Sequence, residues 1–149
     1  MKKLNILLIG GTKDASNITK HIKEEYDSYI LTTTTTEYGS KLAIESGSDD
    51  TIAKPLLKDE FITLIETNEF NLLIDATHPY ASHITQTTVS LSKLFNITYI
   101  RFERPPSNLD NVDTSRVHEV TSLDEAGKLI ASDFTSGNVL HLAGANTME

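Results

Sequence analysis

A carboxylate, a hydroxyl, an imidazole and a phenol stand close together in Asp75-Ala76-Thr77-His78-Pro79-Tyr80-Ala81. Side chains of these types can hold a ligand, orient it or exchange protons with it. Three large apolar residues, Leu72-Leu73-Ile74, lead into the run, and an apolar-periodic segment follows it. That order predicts a buried parallel strand that delivers a polar loop to a sheet edge before a helix begins. Pro79 suits the first helical turn, where its missing N–H would have no partner anyway. Open α/β sheets bind ligands beyond the carboxyl ends of their strands, so Asp75, Thr77, His78 and Tyr80 are site candidates by position. His78 reads equally as a polar helix-start residue or as a ligand contact.

Two further stretches carry chemistry. Leu4-Asn5-Ile6-Leu7-Leu8-Ile9 runs directly into Gly10-Gly11-Thr12-Lys13-Asp14-Ala15. A strand, a glycine turn and a helix start make an anion-binding arrangement, because backbone N–H groups and the positive end of the helix dipole meet there. The dinucleotide fingerprint G-x-G-x-x-G is not complete, since the glycines are adjacent and Ala15 takes the place of the packing glycine. An anion cradle and a merely tight turn both fit. Arg101 and Arg104 flank Glu103 ahead of Pro105-Pro106. They read either as a loop ion pair of little energy or as a carboxylate or phosphate clamp stiffened by the prolines.

Other chemistries fit less well. Asp75-Ala76-Thr77 is similar to the strand-end nucleophile of phosphatases, but Thr77 stands where the second acid belongs. A phosphatase-like hydrolase is therefore the weaker rival. His78 and His83 are spaced poorly for one helix face, which argues against a paired metal site. His21 and His118 read as surface residues, and His141 as packed within or beside a strand. No nucleophile elbow or Ser-His-Asp set is apparent.

The elements that position these residues follow from periodicity. Ala15, Ile18 and Ile22 form a helical stripe. Tyr29–Thr33 reads as a second strand that runs into the threonine series ending at Thr36. A dinucleotide fold would place an acid at that strand end to hold the ribose hydroxyls. Glu37 is the first acid there, one turn late, and no arginine accompanies it. A short helix over Glu37–Ile44, weakened by Gly39, and a short strand Thr51–Ala53 come next. A helix capped by Asp59 should run through Asn68. Ala81, Ile84, Thr88, Leu91 and Phe95 then give the clearest amphipathic pattern. Ile97–Ile100 reads as a strand, Ser107–Ser115 as a loop and Arg116–Val120 as a short strand. Ser122 and Glu125 form a capping box for a helix reaching about Ala131, and Val139–Leu142 reads as a last strand. Alternation of this kind predicts an α/β, Rossmann-like open sheet, mainly parallel, of five or more strands with helices on both faces.

Composition narrows the partners. The chain of 149 residues is 38% hydrophobic and has no cysteine, which excludes disulfides and suits a reducing cytoplasm. No window approaches the roughly 20 apolar residues of a membrane span, and Leu4–Ile9 is too short for a secretory signal. Thirteen Lys and Arg against 21 Asp and Glu give a net charge of −8, which argues against nucleic acid. A small anionic ligand fits if a local basic cluster offsets that field.

Taken in order and interval, Gly10-Gly11-Thr12 with Asp14-Ala15, then Asp75 to Ala81, then Arg101-Phe102-Glu103-Arg104-Pro105 resemble the precorrin-6A reductases of cobalamin biosynthesis. The resemblance covers essentially the whole chain but only the first half of a family member. It implies a Rossmann-like N-terminal domain over 1–142, with 143–149 opening a truncated second one. It also implies reduction of a carbon–carbon double bond of a tetrapyrrole, precorrin-6A or cobalt-precorrin-6A, by hydride from a nicotinamide. Thr35-Thr36-Glu37-Tyr38-Gly39 looks more like the cobalt-containing branch, which uses NADH, with NADPH the alternative. The implied cofactor contacts are Gly10, Gly11, Thr12, Thr36, Glu37 and Thr77. Asp75, His78, Arg101 and Arg104 would meet the polycarboxylate ring, and His78 or Tyr80, or water, would supply the proton. A non-catalytic nucleotide- or tetrapyrrole-binding module dependent on a missing domain is the alternative. An isolated half would also expose an apolar patch that invites homodimerisation.

Overall fold

The computed structural model describes residues 3–105, 113–134 and 136–140. The chain divides into two compact units, Met1–Pro105 and Pro106–Glu149. The first alternates strand and helix: β1 (Leu4–Ile9), α1 (Lys13–Glu25), β2 (Ser28–Thr34), α2 (Glu37–Glu45), β3 (Asp50–Ala53), α3 (Lys58–Thr67), β4 (Leu72–Asp75), α4 (Ser82–Leu94) and β5 (Thr98–Arg101). All pairings are parallel, and the sheet order is β3-β2-β1-β4-β5. This is the Rossmann-like sheet expected from the alternation. The chain reverses its direction of growth between β1 and β4, which opens a crevice at their carboxyl ends.

The period of two in β1 sends side chains to both faces. Leu7 and Ile9 pack with Phe61, Ile65, Leu73 and Leu91 on one face. Ile6 and Leu8 pack with Ala15, Ile30 and Ile74 on the other. Burial on both faces explains why β1 and β4 are almost unbroken apolar runs. Register then fixes the site: Ile9 is level with Thr33 and Asp75, and Asp75 is level with Arg101.

Gly10 follows this row at φ +140°, and a Cβ there would lie 2.7 Å from the Ala76 carbonyl oxygen. The first glycine of the turn is therefore required by close approach of β1 and β4. Gly39, which weakens the helix by propensity, earns its place through packing. A Cβ on it would meet Thr34 Cβ at 3.2 Å and Gly11 Cα at 3.4 Å. The starts of α1 and α2 interlock through these two absent side chains.

Several expectations are corrected. Pro79 lies outside α4, in a separate turn closed by the Ala81 N–H donating to the His78 carbonyl at 2.9 Å. A proline disfavours helical backbone in the residue before it, so His78 ends the loop instead of starting the helix. Asp59 sits inside the first turn of α3, and it is Glu60 whose carboxylate accepts from the Leu57 N–H at 2.8 Å. In the second unit, the chain at 114–116 is a short 3₁₀ turn and 117–120 forms no strand. Asp113 accepts from the Ser115 N–H at 3.0 Å, and this local bond favours a turn over extension. Ser122 caps α5 (Leu123–Asp133), but Glu125 reaches Thr121, one residue before the expected partner. Val139 and Leu140 carry no strand. His141, Leu142 and the 142/143 boundary lie outside the described residues. Among those described, no helix is long and apolar enough to cross a membrane.

Gly10→Ala should lower stability by about 2 kcal/mol or more, from backbone strain plus the clash with Ala76. Gly127→Ala, whose methyl meets nothing within 4 Å in α5, should be neutral or stabilising by up to about 1 kcal/mol. Urea denaturation of the two variants checks the contrast.

Candidate functional site

Asp75 ends β4 with a side chain that is 0% exposed. Its Oδ1 accepts from the Thr77 N–H at 3.0 Å and the Thr77 hydroxyl at 2.6 Å. Its Oδ2 accepts from the Thr85 hydroxyl at 2.9 Å, the Tyr99 hydroxyl at 2.9 Å and Arg101 Nη1 at 2.8 Å. Burial pushes the carboxyl pKa up, but the Thr77, Thr85 and Tyr99 hydrogen bonds outweigh it and hold it below the ordinary value. Asp75 is therefore an ionised anchor beneath the surface. Burial also works against the charge of Arg101, and the hydrogen bonds and charges of Glu103 and Asp75 reverse that effect and raise its pKa. Tyr99 is raised by burial and then by its bond to Asp75, which favours the protonated phenol as donor.

Above this anchor lies a cavity of about 390 Å³, within the range of roughly 300–1,000 Å³ typical of small-molecule and cofactor sites. Its wall takes Gly10, Gly11 and Thr12 from the β1–α1 turn, Thr33–Thr36 from the end of β2, and Thr77 and His78 from the loop after β4. Lys54, Pro55, Leu56 and Phe61 close one side, and Ala81, His83 and Ile84 another. The starts of α1, α2 and α4 thus converge on one space. Thr12 and Thr36 cap the first two, accepting from the N–H groups of Ala15 at 3.3 Å and Gly39 at 3.1 Å. No side chain caps α4. Among the described residues, the ionisable groups of the wall are Lys54, His78 and His83, and Lys54 is paired with the Glu60 carboxylate just outside the wall. In a chain of net charge −8, this cavity favours an anion, because the first N–H groups of a helix lack intrahelical partners and carry its positive end.

The expected site residues fall into three groups. Gly10, Gly11, Thr12, Thr36, Thr77 and His78 line the cavity together. Tyr80 is 90% exposed and leans on His78, ring centroids 5.2 Å apart. Glu37 is exposed in the first turn of α2 and does not enter the wall. Arg101 is one bond from the cavity, donating to the wall residue Thr77 at 3.3 Å. Its other edge meets Glu103, the ion pair anticipated in one reading of the sequence. Arg104 pairs with Asp14 in the first turn of α1, Nε to Oδ2 at 2.8 Å. His83 reaches the same cavity as His78, because His78 precedes the helix and helical spacing does not govern the pair. Among the described residues, no three His, Cys, Asp or Glu side chains gather as a metal site.

Sequence reasoning missed Tyr99 and Thr85, two of the donors to Asp75. Strand alternation held the clue for Tyr99, which is two residues from Arg101 and so shares its face of the sheet. Thr85 lies one helical turn after Ala81, on the face of α4 turned to the sheet.

The model of the family described as precorrin-6x reductase CbiJ/CobK matches residues 5–149. The chain belongs to the precorrin-6x reductase family. A cobalt-precorrin-6A reductase of Methanococcus maripaludis is 36% identical over 147 residues, covering 98% of this chain and 56% of that protein. The protein of the same name from Methanocaldococcus jannaschii is 35% identical over 146 residues, covering 98% and 56%. The chain thus spans about half the length of these family members. Among solved structures, a CobK precorrin-6A reductase superposes with a TM-score of 0.56 at 18% identity, covering 72% of this chain and 41% of that one. An alcohol dehydrogenase solved with NADH gives a TM-score of 0.50 at 16% identity, covering 72% and 32%. These structural likenesses establish the fold.

Removing the charge of Asp75 tests the anchor. Asp75→Asn should destabilise the protein by about 3 kcal/mol at neutral pH, the scale for breaking a buried ion pair from one side. Because folding depresses this pKa, the contribution is complete above the unfolded value of about 3.9 and is lost as pH falls through the folded one. The gap between wild type and variant should narrow in that acid window, as denaturation curves at a series of pH values would show.

Proposed function

We propose that this chain is the nicotinamide-binding half of a cobalt-precorrin-6A reductase, which reduces one ring double bond of that tetrapyrrole. The observation that carries the reading is the cavity at the β1/β4 crevice, built from three helix starts and the Gly10-Gly11-Thr12 turn. Its backbone and hydroxyl groups suit the phosphates and ribose hydroxyls of a dinucleotide. Full family members of about twice the length, bearing the reductase name, support the substrate class. A bound NADH, or NADPH, would supply the hydride.

The residues of this chain would then hold and orient. Gly10 and Gly11 let backbone approach the ligand, Thr12 and Thr36 set the two helix starts, and Thr77 fixes the loop after β4. His78 is the residue we assign to proton delivery. The Tyr80 N–H approaches His78 Nδ1 at 3.4 Å, which favours the tautomer that carries its proton on Nε2. Tyr80 steadies the imidazole by contact. Arg101 and Arg104 would face the ring carboxylates. A cytoplasmic enzyme suits the cysteine-free sequence.

Titration of the chain with NADH should give a saturable change in nicotinamide fluorescence. Ala81→Trp, which fills the cavity at its rim, should weaken binding by more than about tenfold, a loss of at least about 1.4 kcal/mol. Absence of saturable binding by the wild type would overturn the reading. The half-length match keeps a second reading in view, a binding module without catalysis of its own. Turnover of NADH with cobalt-precorrin-6A by these 149 residues would eliminate the module.

A further inference from the structure

The guanidinium of Arg101 has two differently occupied edges. Nη1 points inward, held by Asp75 at 2.8 Å, the Thr85 hydroxyl at 2.9 Å and the Thr77 hydroxyl at 3.3 Å. Nε and Nη2 point the other way, and both donate to a single oxygen of Glu103, Oε1, at 3.0 and 2.9 Å. The Arg101 side chain is 18% exposed and that of Glu103 is 58% exposed.

The two contacts differ in setting: the Asp75 side chain is fully buried and that of Glu103 is 58% exposed. The inner edge is bound to a buried carboxylate in a network that fixes the plane and position of the guanidinium. The outer edge is closed by an acid two residues away, and an exposed pair of this kind adds little stability. A fork of two parallel N–H donors matches one carboxylate, and Glu103 now occupies that place. We infer that the Nε–Nη2 edge of Arg101 is a subsite for a carboxylate of the ligand, with Glu103 as a built-in occupant that the ligand displaces. This rests on the proposed tetrapyrrole reading, because such a ring carries carboxylates at its periphery. Asp75 is then a positioning residue, since it holds the arginine still while its outer partner exchanges.

The arrangement has a selective consequence. A single carboxylate must compete with a tethered one and gains little, whereas a ligand with several carboxylates can displace Glu103 and keep other contacts. The subsite favours polycarboxylates over simple acids such as acetate.

The test compares wild type, Glu103→Ala and the double variant Glu103→Ala/Arg101→Lys by absorbance titration with uroporphyrin, an octacarboxylate ring, at low ionic strength. Glu103→Ala should tighten binding by up to about fivefold, the scale of an exposed ion pair. The double variant should lose that gain, because lysine cannot supply the planar fork. Acetate at matched ionic strength should leave the wild-type affinity unchanged. Unchanged or weaker binding by Glu103→Ala, or no uroporphyrin binding by either protein, would overturn the subsite. Thermal unfolding of each variant separates loss of fold from loss of affinity. NADH titration in parallel separates the two ideas: normal NADH binding without the Glu103→Ala gain sinks the subsite alone, and the gain without NADH binding sinks the nicotinamide reading alone.

Discussion

A carboxylate with no exposure to water must find its partners inside the protein, and Asp75 finds five donors at the end of β4. An unpaired charge in that place would be strongly destabilising. The loop that follows, the first turns of α4 and the end of β5 are therefore arranged around it. Thr77 is tied by backbone and side chain, Thr85 reaches down from α4, and Tyr99 and Arg101 reach across from the neighbouring strand. A residue that reads in sequence as a candidate for direct chemistry is the support on which the neighbouring groups are mounted.

The sheet makes this support possible. Parallel register sets Asp75 level with Arg101 on one side and with Ile9 on the other, so the ion pair and the glycine turn lie in adjacent positions of one row. Thr77 belongs to both, since its hydroxyl meets Asp75 and Arg101 while its residue lines the cavity. The cavity and the arginine edge are thus neighbouring parts of one rim. An acidic chain can in this way present a local surface suited to anions.

The strands and helices through Arg101 were legible because burial on two faces writes itself as apolar runs and helical stripes. The cavity-forming turns were legible through Gly10-Gly11 and through the polar loop after β4. Sequence could not show that Asp75 is buried, because its partners Thr85, Tyr99 and Arg101 come from elements that only the strand order brings together. It also could not show why Gly39 is tolerated in a helix, since the reason is the backbone of Gly11 across the gap. After Arg104 the pattern weakened: short apolar groups such as Val117 and Val120 imitate strands, whereas the Asp113 side chain commits the chain to a turn.

The contact of Gly11 with Gly39 carries a mechanical implication. A Cβ on Gly39 would lie 3.4 Å from Gly11 Cα, and one on Gly11 3.5 Å from Gly39 Cα, so a side chain at either position would push the β1–α1 and β2–α2 turns apart. The floor of the cavity is therefore set by main chain at Gly11, while Lys54, Pro55 and Leu56 supply the side chains of the wall whose shape can change.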